Sequence, residues 1–449
     1  MTLWFETALT AKGWVERVRV TLAGGRITRL QTGAAPETGD ERHGIAIPGL
    51  SNVHSHAFQR GMAGLAEIRG PADDNFWTWR EVMYRFLDRL TPEHIEAITA
   101  QAYAEMLEHG ITRVGEFHYV HRDPKGMDYA NVGELAERVA AAARETGIGL
   151  TLLPVFYAHS NFGSASPAPG QRRFLSDLDG FARLVESARK SIASLDNANL
   201  GVAPHSLRAV TPAELSEIIS LMPDGPIHIH AAEQTKEVDD CVTWSGERPV
   251  EWLMRHANVD RRWCLVHATH VTPDETRQLA TSGAVAGLCP ITEANLGDGI
   301  FPADSYLAQH GRFGIGSDSN IQLDPAAELR ALEYAQRLTH RSRNVLARDA
   351  GRSTGRDLFD GALSGGAQAL GVPEAGIIEG AYADIVSLDA ADPALAGRRG
   401  DFLLDSWIFA GASVNCVWRS GKKCVAGGRH HLREPIRERY RRTMMELLA

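Results

Sequence analysis

Residues 43–56 read HGIAIPGLSNVHSH, a short apolar run with β-branched side chains that ends in two histidines. From Gly44 onward the chain alternates such runs with longer helical patterns, which is typical of a parallel sheet covered by helices. Eight strand–helix units favour an α/β fold built on a closed (β/α)8 TIM-type barrel over an open doubly wound sheet. The eight runs are 43–56, 110–120, 147–157, 198–207, 225–233, 262–270, 283–292 and 311–319.

Helical patterns separate these runs, and two of them begin with a Thr-Pro pair, at Thr91-Pro92 and Thr211-Pro212. Each pair predicts an N-cap threonine followed by proline at the first helical position. The predicted helices include 92–109, 131–145, 171–194, 211–222 and 325–340.

The flanks of the chain have a different pattern, with short alternating segments and Gly turns. Residues 1–45 and 372–428 are therefore predicted to form a small β-sandwich-like domain from both termini. The barrel is expected to span 46–371, and 429–449 to form a charged C-terminal helix whose RERYRR run is a solvated face.

The composition excludes several classes of protein. Among 449 residues there are 47 Lys and Arg against 56 Asp and Glu, a net charge of −9 without a strongly basic segment, which argues against a nucleic-acid partner. The N-terminus has no leader pattern and no window reaches about 18 apolar residues, so neither export nor a membrane partner is expected. Five cysteines without a CxxC pair fit a reducing cytoplasm.

His54 and His56 stand two residues apart at the end of the first run, so on a strand their side chains point to the same side. Imidazole nitrogen is a common ligand of zinc and iron. The pair is a candidate half of a metal site, although two unrelated polar residues near a strand end would show the same pattern.

A second histidine pair lies in HIHAAEQ, residues 228–234. His228 and His230 share one face of the strand, but only the residue nearer its C-terminal end can reach a site above the barrel. This favours His230 as a ligand and leaves His228 to packing. Glu233 follows at the rim, where a carboxylate can transfer a proton without being a ligand.

His267 ends the sixth run and Asp318 ends the eighth. Taken alone, Asp318 is equally typical of a turn or helix cap. Together with the other histidines, however, these residues come from four strands and all fall at C-terminal ends, where barrel enzymes place their sites. Three neutral nitrogens, one carboxylate and an open position predict a catalytic metal site rather than a structural one.

These residues resemble the amidohydrolase superfamily, in its mononuclear branch of deaminases and related hydrolases, over nearly the whole chain including GIIEGAYADIVSLD at 376–389. The resemblance implies that one Zn2+, or alternatively Fe2+, is bound, that Glu233 is the acid/base, that His267 orients the nucleophile or polarises the leaving group, and that Asp318 can also accept a proton from water. Binuclear members need a carboxylated lysine after the fourth strand, and LGVAPHSLRAV at 200–210 contains none. The implied metal ligands are His54, His56, His230 and Asp318.

More specific loops resemble the formimidoylglutamate deiminase family: HSHAFQRGMAGLAE (54–67), FWTWREVMYRF (76–86), EFHYVH (116–121), PHSLRAVTP (204–212), HIHAAEQTKEVDDC (228–241), WCLVHATH (263–270) and TEANLGDGIFPA (292–303). This resemblance implies a homodimer that hydrolyses a C–N bond of the linear amidine N-formimino-L-glutamate, giving N-formyl-L-glutamate and ammonia in bacterial histidine degradation. The implied substrate contacts are Gln59, Arg80, Tyr119, His205 and Arg208.

Arginine suits the two carboxylates of such a substrate, and Arg80 and Arg208 are both expected in loops that follow barrel strands. Alternatively, Arg80 is a cation–π packing residue in its aromatic WTWR stretch and Arg208 is a residue at the approach to a helix. The long segments 60–90 and 158–172 are candidates for loops that move over the site.

Two alternative functions follow from the same sequence. One is another deaminase or chlorohydrolase of this branch, acting on guanine, an adenosine-type base or a triazine, which the metal residues do not exclude. The other is a non-catalytic scaffold, which the complete set of ligand positions disfavours.

Overall fold

The computed structural model describes residues 1–70 and 73–449, so positions 71–72 of the predicted loop segment 60–90 lie outside the described residues. The strands are β1 Thr2–Thr10, β2 Gly13–Ala23, β3 Arg26–Gln31, β4 Glu41–Pro48, β5 Leu50–Ser55, β6 Ile111–His118, β7 Gly149–Phe156, β8 Asn199–Leu200, β9 Ala203–Pro204, β10 Ile227–Ala231, β11 Trp263–His267, β12 Val285–Leu288, β13 Arg312–Ile315, β14 Ile385–Leu388, β15 Val414–Arg419, β16 Lys422–Ala426 and β17 Arg429–His430.

The helices alternate with the barrel strands and continue after them. They are α1 Phe76–Leu87, α2 Pro92–Glu108, α3 Glu134–Thr146, α4 Leu178–Ile192, α5 Pro212–Ser220, α6 Thr235–Ser245, α7 Pro249–His256, α8 Pro273–Ser282, α9 Pro290–Leu296, α10 Ala303–Ala308, α11 Pro325–His340, α12 Thr354–Ala369, α13 Asp401–Ala410 and α14 Arg433–Leu448. Short 3-10 turns lie at Ala57–Met62, Pro169–Gln171 and Pro393–Leu395.

Parallel strands form the barrel, in the order β10-β11-β12-β13-β5-β6-β7-β8, with β9 pairing with β7 beyond β8. The cylinder closes where Val202 pairs with Ile227 and Ser206 pairs with His230. Because helices cover the outside and side chains fill the inside, strands such as β6 and β7 are buried along their whole length. The predicted (β/α)8 barrel is confirmed.

Both termini contribute to a second sheet, in the order β17-β16-β15-β14-β4-β1-β2-β3. It is one mixed sheet, and its strands contribute to a separate apolar core that includes Phe5, Val20 and Trp418. The chain passes from this sheet to the barrel at Gly49, between β4 and β5. A Cβ atom there would lie 2.3 Å from Thr112 Cγ2, so the close approach requires glycine.

The predicted division into a terminal β-domain (1–45 and 372–428), a barrel (46–371) and a C-terminal helix (429–449) remains a proposal. In the structure β4 continues to Pro48, and α14 starts at Arg433 after the short strand β17. Helix α14 packs against α2, where Arg433 forms a 3.3 Å ion pair with Glu108.

The helix starts follow local capping chemistry. Helices α2 and α5 begin at Pro92 and Pro212, and the Thr91 and Thr211 side chains accept backbone N–H groups of their first turns, as predicted. Helix α4 starts later than the predicted residue 171, because the N-cap is Asp177, which accepts the N–H of Gly180. Among the described helices, none is both long and apolar enough to cross a membrane.

Candidate active site

Three histidines and one aspartate meet at the C-terminal end of the barrel. His54 lies in β5, His56 directly after it, His230 in β10 and Asp318 three residues after β13. The Asp318 N–H donates to His54 O at 2.9 Å and the His56 N–H donates to Asp318 O at 3.0 Å, so the backbone itself fixes this corner. Asp318 has a φ of 44°, a left-handed conformation that turns the chain immediately after the strand.

The side chains of these four residues converge on one point. His54 Nε2 lies 3.0 Å from His230 Nε2 and 3.4 Å from Asp318 Oδ1, and His56 Nε2 lies 3.2 Å from the same Asp318 oxygen. One ligand atom from each residue lies within 4.8 Å of all the others. All four residues are buried. The group can hold one metal ion.

Hydrogen bonds behind the cluster orient two of its imidazoles. His56 Nδ1 donates to Phe117 O and His230 Nδ1 donates to His205 O, each at 3.0 Å. In the neutral rings this leaves the Nε2 lone pairs facing the centre, as metal ligands require. Within the described residues His54 Nδ1 is buried without a hydrogen-bond partner.

The charges of the four residues also suit a cation. Burial lowers the pKa of His54 to about 3 and the pKa of His230 well below its usual range, so both imidazoles are neutral. Burial opposes ionisation of Asp318, but His54 and His56 hold the pKa of this carboxyl well below its usual value. Neutral nitrogens and one carboxylate are a donor set that fits a divalent ion such as zinc.

Glu233 and His267 lie beside the cluster. Glu233 Oε1 is 3.7 Å from His267 Nε2, which is 4.0 Å from Asp318 Oδ2. Burial raises the pKa of Glu233 to about 7, although the neighbouring His267 lowers it. Burial also disfavours the imidazolium of His267, but Glu233, Glu293 and Asp318 raise its pKa to about 10.

Two further glutamates support this pair and were missed in the sequence analysis. Glu293 Oε1 lies 3.4 Å from His267 Nδ1 and accepts the N–H of Cys289 at 3.1 Å. Glu237, at the start of α6, accepts the N–H groups of Ala232 and Glu233 at 3.2 and 3.1 Å. Glu293 falls within the run TEANLGDGIFPA. The sequence pattern of that run does not indicate a contact with His267, which lies 26 positions earlier.

A single cavity of about 570 Å3, including its open mouth, contains the predicted substrate contacts and reaches the metal cluster. Gln59 donates through Nε2 to the Tyr119 hydroxyl at 2.7 Å, and His205 supports His230 through its carbonyl. His228 lies outside the cluster and is bonded through Nε2 to Ala369 O at 2.8 Å. The lining residues are His56, Gln59, Phe76, Trp79, Arg80, Met83, Tyr84, Tyr119, Tyr157, Phe174, His205, Arg208, His230, Glu233, Leu296 and Asp318.

Arg80 and Arg208 face this cavity from different elements. Arg208 lies in the turn after β9, but Arg80 lies on helix α1 rather than in a loop. Both guanidinium groups approach the Trp77 ring, at 4.5 and 6.0 Å from its centroid, so the cation–π contact considered for Arg80 is present. The Nε atoms of both arginines are buried without a hydrogen-bond partner in the described part of the chain.

Comparisons with known proteins agree with this geometry. Residues 45–424 match the amidohydrolase family, and residues 2–44 match the N-terminal domain of formimidoylglutamate deiminase HutF. The formimidoylglutamate deiminase of Pseudomonas aeruginosa is 50% identical over 447 residues, which cover 99% of this chain and 98% of that protein. The 5-methylthioadenosine/S-adenosylhomocysteine deaminase of Natronomonas pharaonis is 30% identical over 372 residues, covering 81% and 77% of the two chains.

Solved structures resemble the whole fold. The crystal structure of an amidohydrolase from Brucella melitensis superposes with a TM-score of 0.98 at 56% identity, covering all of both chains. A zinc-bound adenosine deaminase from Xanthomonas campestris superposes with a TM-score of 0.81 at 22% identity, covering 100% and 98% of the two chains, which shows the shared fold alone. This chain therefore belongs to the amidohydrolase family, in its formimidoylglutamate deiminase group.

Proposed function

We propose that this protein catalyses the hydrolytic deimination of N-formimino-L-glutamate to N-formyl-L-glutamate and ammonia, a step of histidine degradation. The observation that carries the proposal is a pair of arginines, Arg80 and Arg208, that line the same cavity as the metal cluster. Neither forms an ion pair or a side-chain hydrogen bond with a residue in the described ranges.

Two guanidinium groups that have no carboxylate partner among the described residues suit a substrate with two carboxylates. An unpaired charge away from water is costly, and a carboxylate that accepts two parallel N–H bonds offsets this cost. Burial disfavours the charge of Arg208, but Glu237, Tyr157 and Glu233 raise its pKa, so this guanidinium remains charged. A purine base or a triazine would leave both positive charges without an anionic partner.

The proposed cofactor is one Zn2+ ion, held by His54, His56, His230 and Asp318. When bound, such an ion supplies Lewis acidity that lowers the pKa of a water molecule and polarises the formimino group. An imidazole that binds a metal through a lone pair adds no charge, and Asp318 would add one negative charge, so the site would keep a net positive charge around a divalent ion.

Glu233 is the proposed acid and base. Its carboxylate accepts a proton as water adds to the formimino carbon, and it returns that proton to the departing nitrogen when the C–N bond breaks. A pKa raised to about 7 by burial suits both steps, because the group can change its protonation state within one turnover near neutral pH. Asp318, whose Oδ2 lies 4.0 Å from His267 Nε2, is the alternative first acceptor of the water proton.

His267 is proposed to stabilise the tetrahedral adduct. Its Nδ1 faces Glu293 at 3.4 Å, which leaves Nε2 directed between Glu233 and Asp318. An imidazole fixed in this way presents an N–H to negative charge that develops on the adduct.

Ammonia release by the purified, metal-loaded protein tests the proposal. N-formimino-L-glutamate should be hydrolysed with a kcat/KM of about 10⁴ M⁻¹s⁻¹ or more. Guanine, adenosine and a triazine, tested in parallel at the same concentrations, should release no ammonia. Release from a nucleobase or triazine alone would refute the substrate assignment and favour the deaminase alternative.

The resemblance also supports a homodimer that acts in the cytoplasm. Sedimentation equilibrium of the purified protein should give twice the mass of the 449-residue chain. Fractionation of cells that express the protein should recover it with cytoplasmic markers. A monomer mass, or recovery outside the cytoplasmic fraction, would contradict the corresponding proposal.

A further inference from the structure

A second glutamine–tyrosine pair, Gln171 and Tyr157, borders the cavity through its tyrosine, in addition to Gln59 and Tyr119. Gln171 donates through Nε2 to the Tyr157 hydroxyl at 2.7 Å, the same distance and the same direction as in the first pair. Tyr157 follows β7 and lines the cavity, whereas Gln171 ends the 3-10 turn at Pro169–Gln171. Both side chains are almost fully buried, with 4% exposure for Tyr157 and 1% for Gln171.

The orientation of the Gln171 amide follows from a second hydrogen bond. Its Oε1 accepts the backbone N–H of Ala168 at 2.7 Å. Because only the oxygen of an amide accepts a hydrogen bond, its nitrogen must face Tyr157. Tyr157 Oη is therefore an acceptor for Gln171, and the hydroxyl hydrogen of Tyr157 is left for another partner.

No acceptor for that hydrogen lies within hydrogen-bond distance in residues 1–70 and 73–449. A buried hydroxyl that lacks a partner for its hydrogen costs free energy, and the open side of Tyr157 is the cavity. Arg80 and Arg208 line the same cavity, and although burial raises the pKa of Tyr157, these two guanidinium groups lower it. A ligand group at this position therefore has to accept a hydrogen bond, and the two guanidinium groups in the same cavity favour an acceptor with negative charge.

We infer that Tyr157 donates its hydroxyl hydrogen to a substrate carboxylate that Arg80 or Arg208 also binds, and that Gln171 positions Tyr157 for this bond. The inference rests on the proposed function, because it assigns one further contact to the same dicarboxylate. It makes Tyr157 a substrate-binding residue that determines specificity for an anionic substrate, and Gln171 a positioning residue that acts through it.

Tyr157→Phe tests the contact. The variant should raise KM for N-formimino-L-glutamate by about 10- to 100-fold, the range for a lost hydrogen bond to a charged group, and leave kcat within about threefold. Tyr306→Phe is the matched control, since the buried Tyr306 hydroxyl donates to Arg312 O at 2.8 Å away from the cavity. An unchanged KM in Tyr157→Phe, beside an active wild-type protein, would overturn the inference.

Two substrate analogues separate a carboxylate contact from a general effect on the fold. N-formimino-4-aminobutyrate lacks the α-carboxylate, and N-formimino-L-2-aminobutyrate lacks the side-chain carboxylate without replacing it by another hydrogen-bond acceptor. For the analogue without the contacted carboxylate, wild type and Tyr157→Phe should have equal kcat/KM, or equal inhibition constants where turnover is slow. For the analogue that retains the contacted carboxylate, Tyr157→Phe should lose as much kcat/KM relative to wild type as it does with N-formimino-L-glutamate. If Tyr157→Phe lost the same factor in kcat/KM with both analogues, Tyr157 would have a structural role and the inference would be overturned.

Gln171→Glu tests the positioning. The new carboxylate accepts from both Ala168 N–H and the Tyr157 hydroxyl, so it turns the Tyr157 hydrogen away from the cavity without changing the shape of the side chain. KM should rise at least as much as in Tyr157→Phe, and Gln171→Leu should give a smaller rise. An unchanged KM in Gln171→Glu would overturn the role of Gln171. Wild-type protein that is inactive on N-formimino-L-glutamate would instead refute the proposed function.

Discussion

Glu233 is the residue with the most specific predicted phenotype. Glu233→Gln keeps the size and polarity of the side chain but removes the proton-accepting group, and this residue is not one of the four that converge on the metal position. We therefore expect kcat to fall by about 10²- to 10⁴-fold while the metal content stays at the wild-type level. Steady-state kinetics and elemental analysis of the same preparation measure both, and near-normal kcat would contradict the assigned role.

The pH dependence of the reaction should report the same carboxyl group. Burial raises the pKa of Glu233 from 4.5 to about 7, and a divalent cation at the neighbouring cluster lowers it again. The ionised form of Glu233 accepts the proton from water. The value of kcat/KM should therefore rise with pH, with an apparent pKa between 4.5 and about 7. The residual activity of Glu233→Gln should lack this rise; a rise that persists in this variant would have to belong to another group.

At the scale of the element, the start of helix α6 fixes the loop that carries Glu233. Glu237 is 1% exposed and accepts the N–H groups of Ala232 and Glu233, where Ala232 has a strained φ of 52°. Glu237→Ala leaves these buried donors without their partner. The substitution Glu237→Ala should lower the free energy of unfolding by about 2–4 kcal/mol. It should also lower kcat by a larger factor than it changes KM.

Lys236→Ala is the control for the Glu237 prediction, since Lys236 lies on the same helical turn. Its ion pair with Asp240 is solvent-exposed, so its loss should change the free energy of unfolding by less than about 1 kcal/mol. Denaturant unfolding of the two variants compares them directly. Equal stability of Glu237→Ala and Lys236→Ala would show that Glu237 does not support the loop.

At the scale of the whole molecule, the metal position joins opposite parts of the barrel wall. The four candidate ligands come from β5, β10 and the segment after β13, so an ion held by all of them binds the folded chain and not the unfolded one. Such binding stabilises the native state by about 2.7 kcal/mol at a free metal concentration 100 times Kd. Chelation should therefore lower Tm by several degrees, and added Zn2+ should restore it.

Differential scanning calorimetry of chelated and metal-loaded protein measures this effect. His230→Ala should melt at the same temperature with or without Zn2+, because it lacks one of the converging nitrogens. Equal Tm values for the chelated and loaded wild-type protein would contradict a metal site that links these strands.

The pattern of the sequence was sufficient to predict the barrel and to place the candidate site at one end of it. Strands buried on both faces require short apolar runs, and helices on the outside require longer periodic ones, so the order of elements is readable without a structure. The histidines of VHSH and HIHA stood out because imidazoles are rare in such buried runs. The structure brings all of the predicted site residues together, and their individual roles remain predictions.

Only the tertiary structure shows which side chains meet between elements that are distant in the chain. Glu293 lies 26 positions after His267 and Gln171 lies 14 positions after Tyr157, and the sequence between them contains no periodic signal for either contact. Closure of the barrel likewise depends on Val202 and Ser206, which flank the short β9 and meet β10 through isolated bridges. The physical reason is that apolar burial is nonspecific and follows local sequence, whereas a hydrogen bond requires two atoms within about 3 Å, a distance set by the packing of the whole barrel.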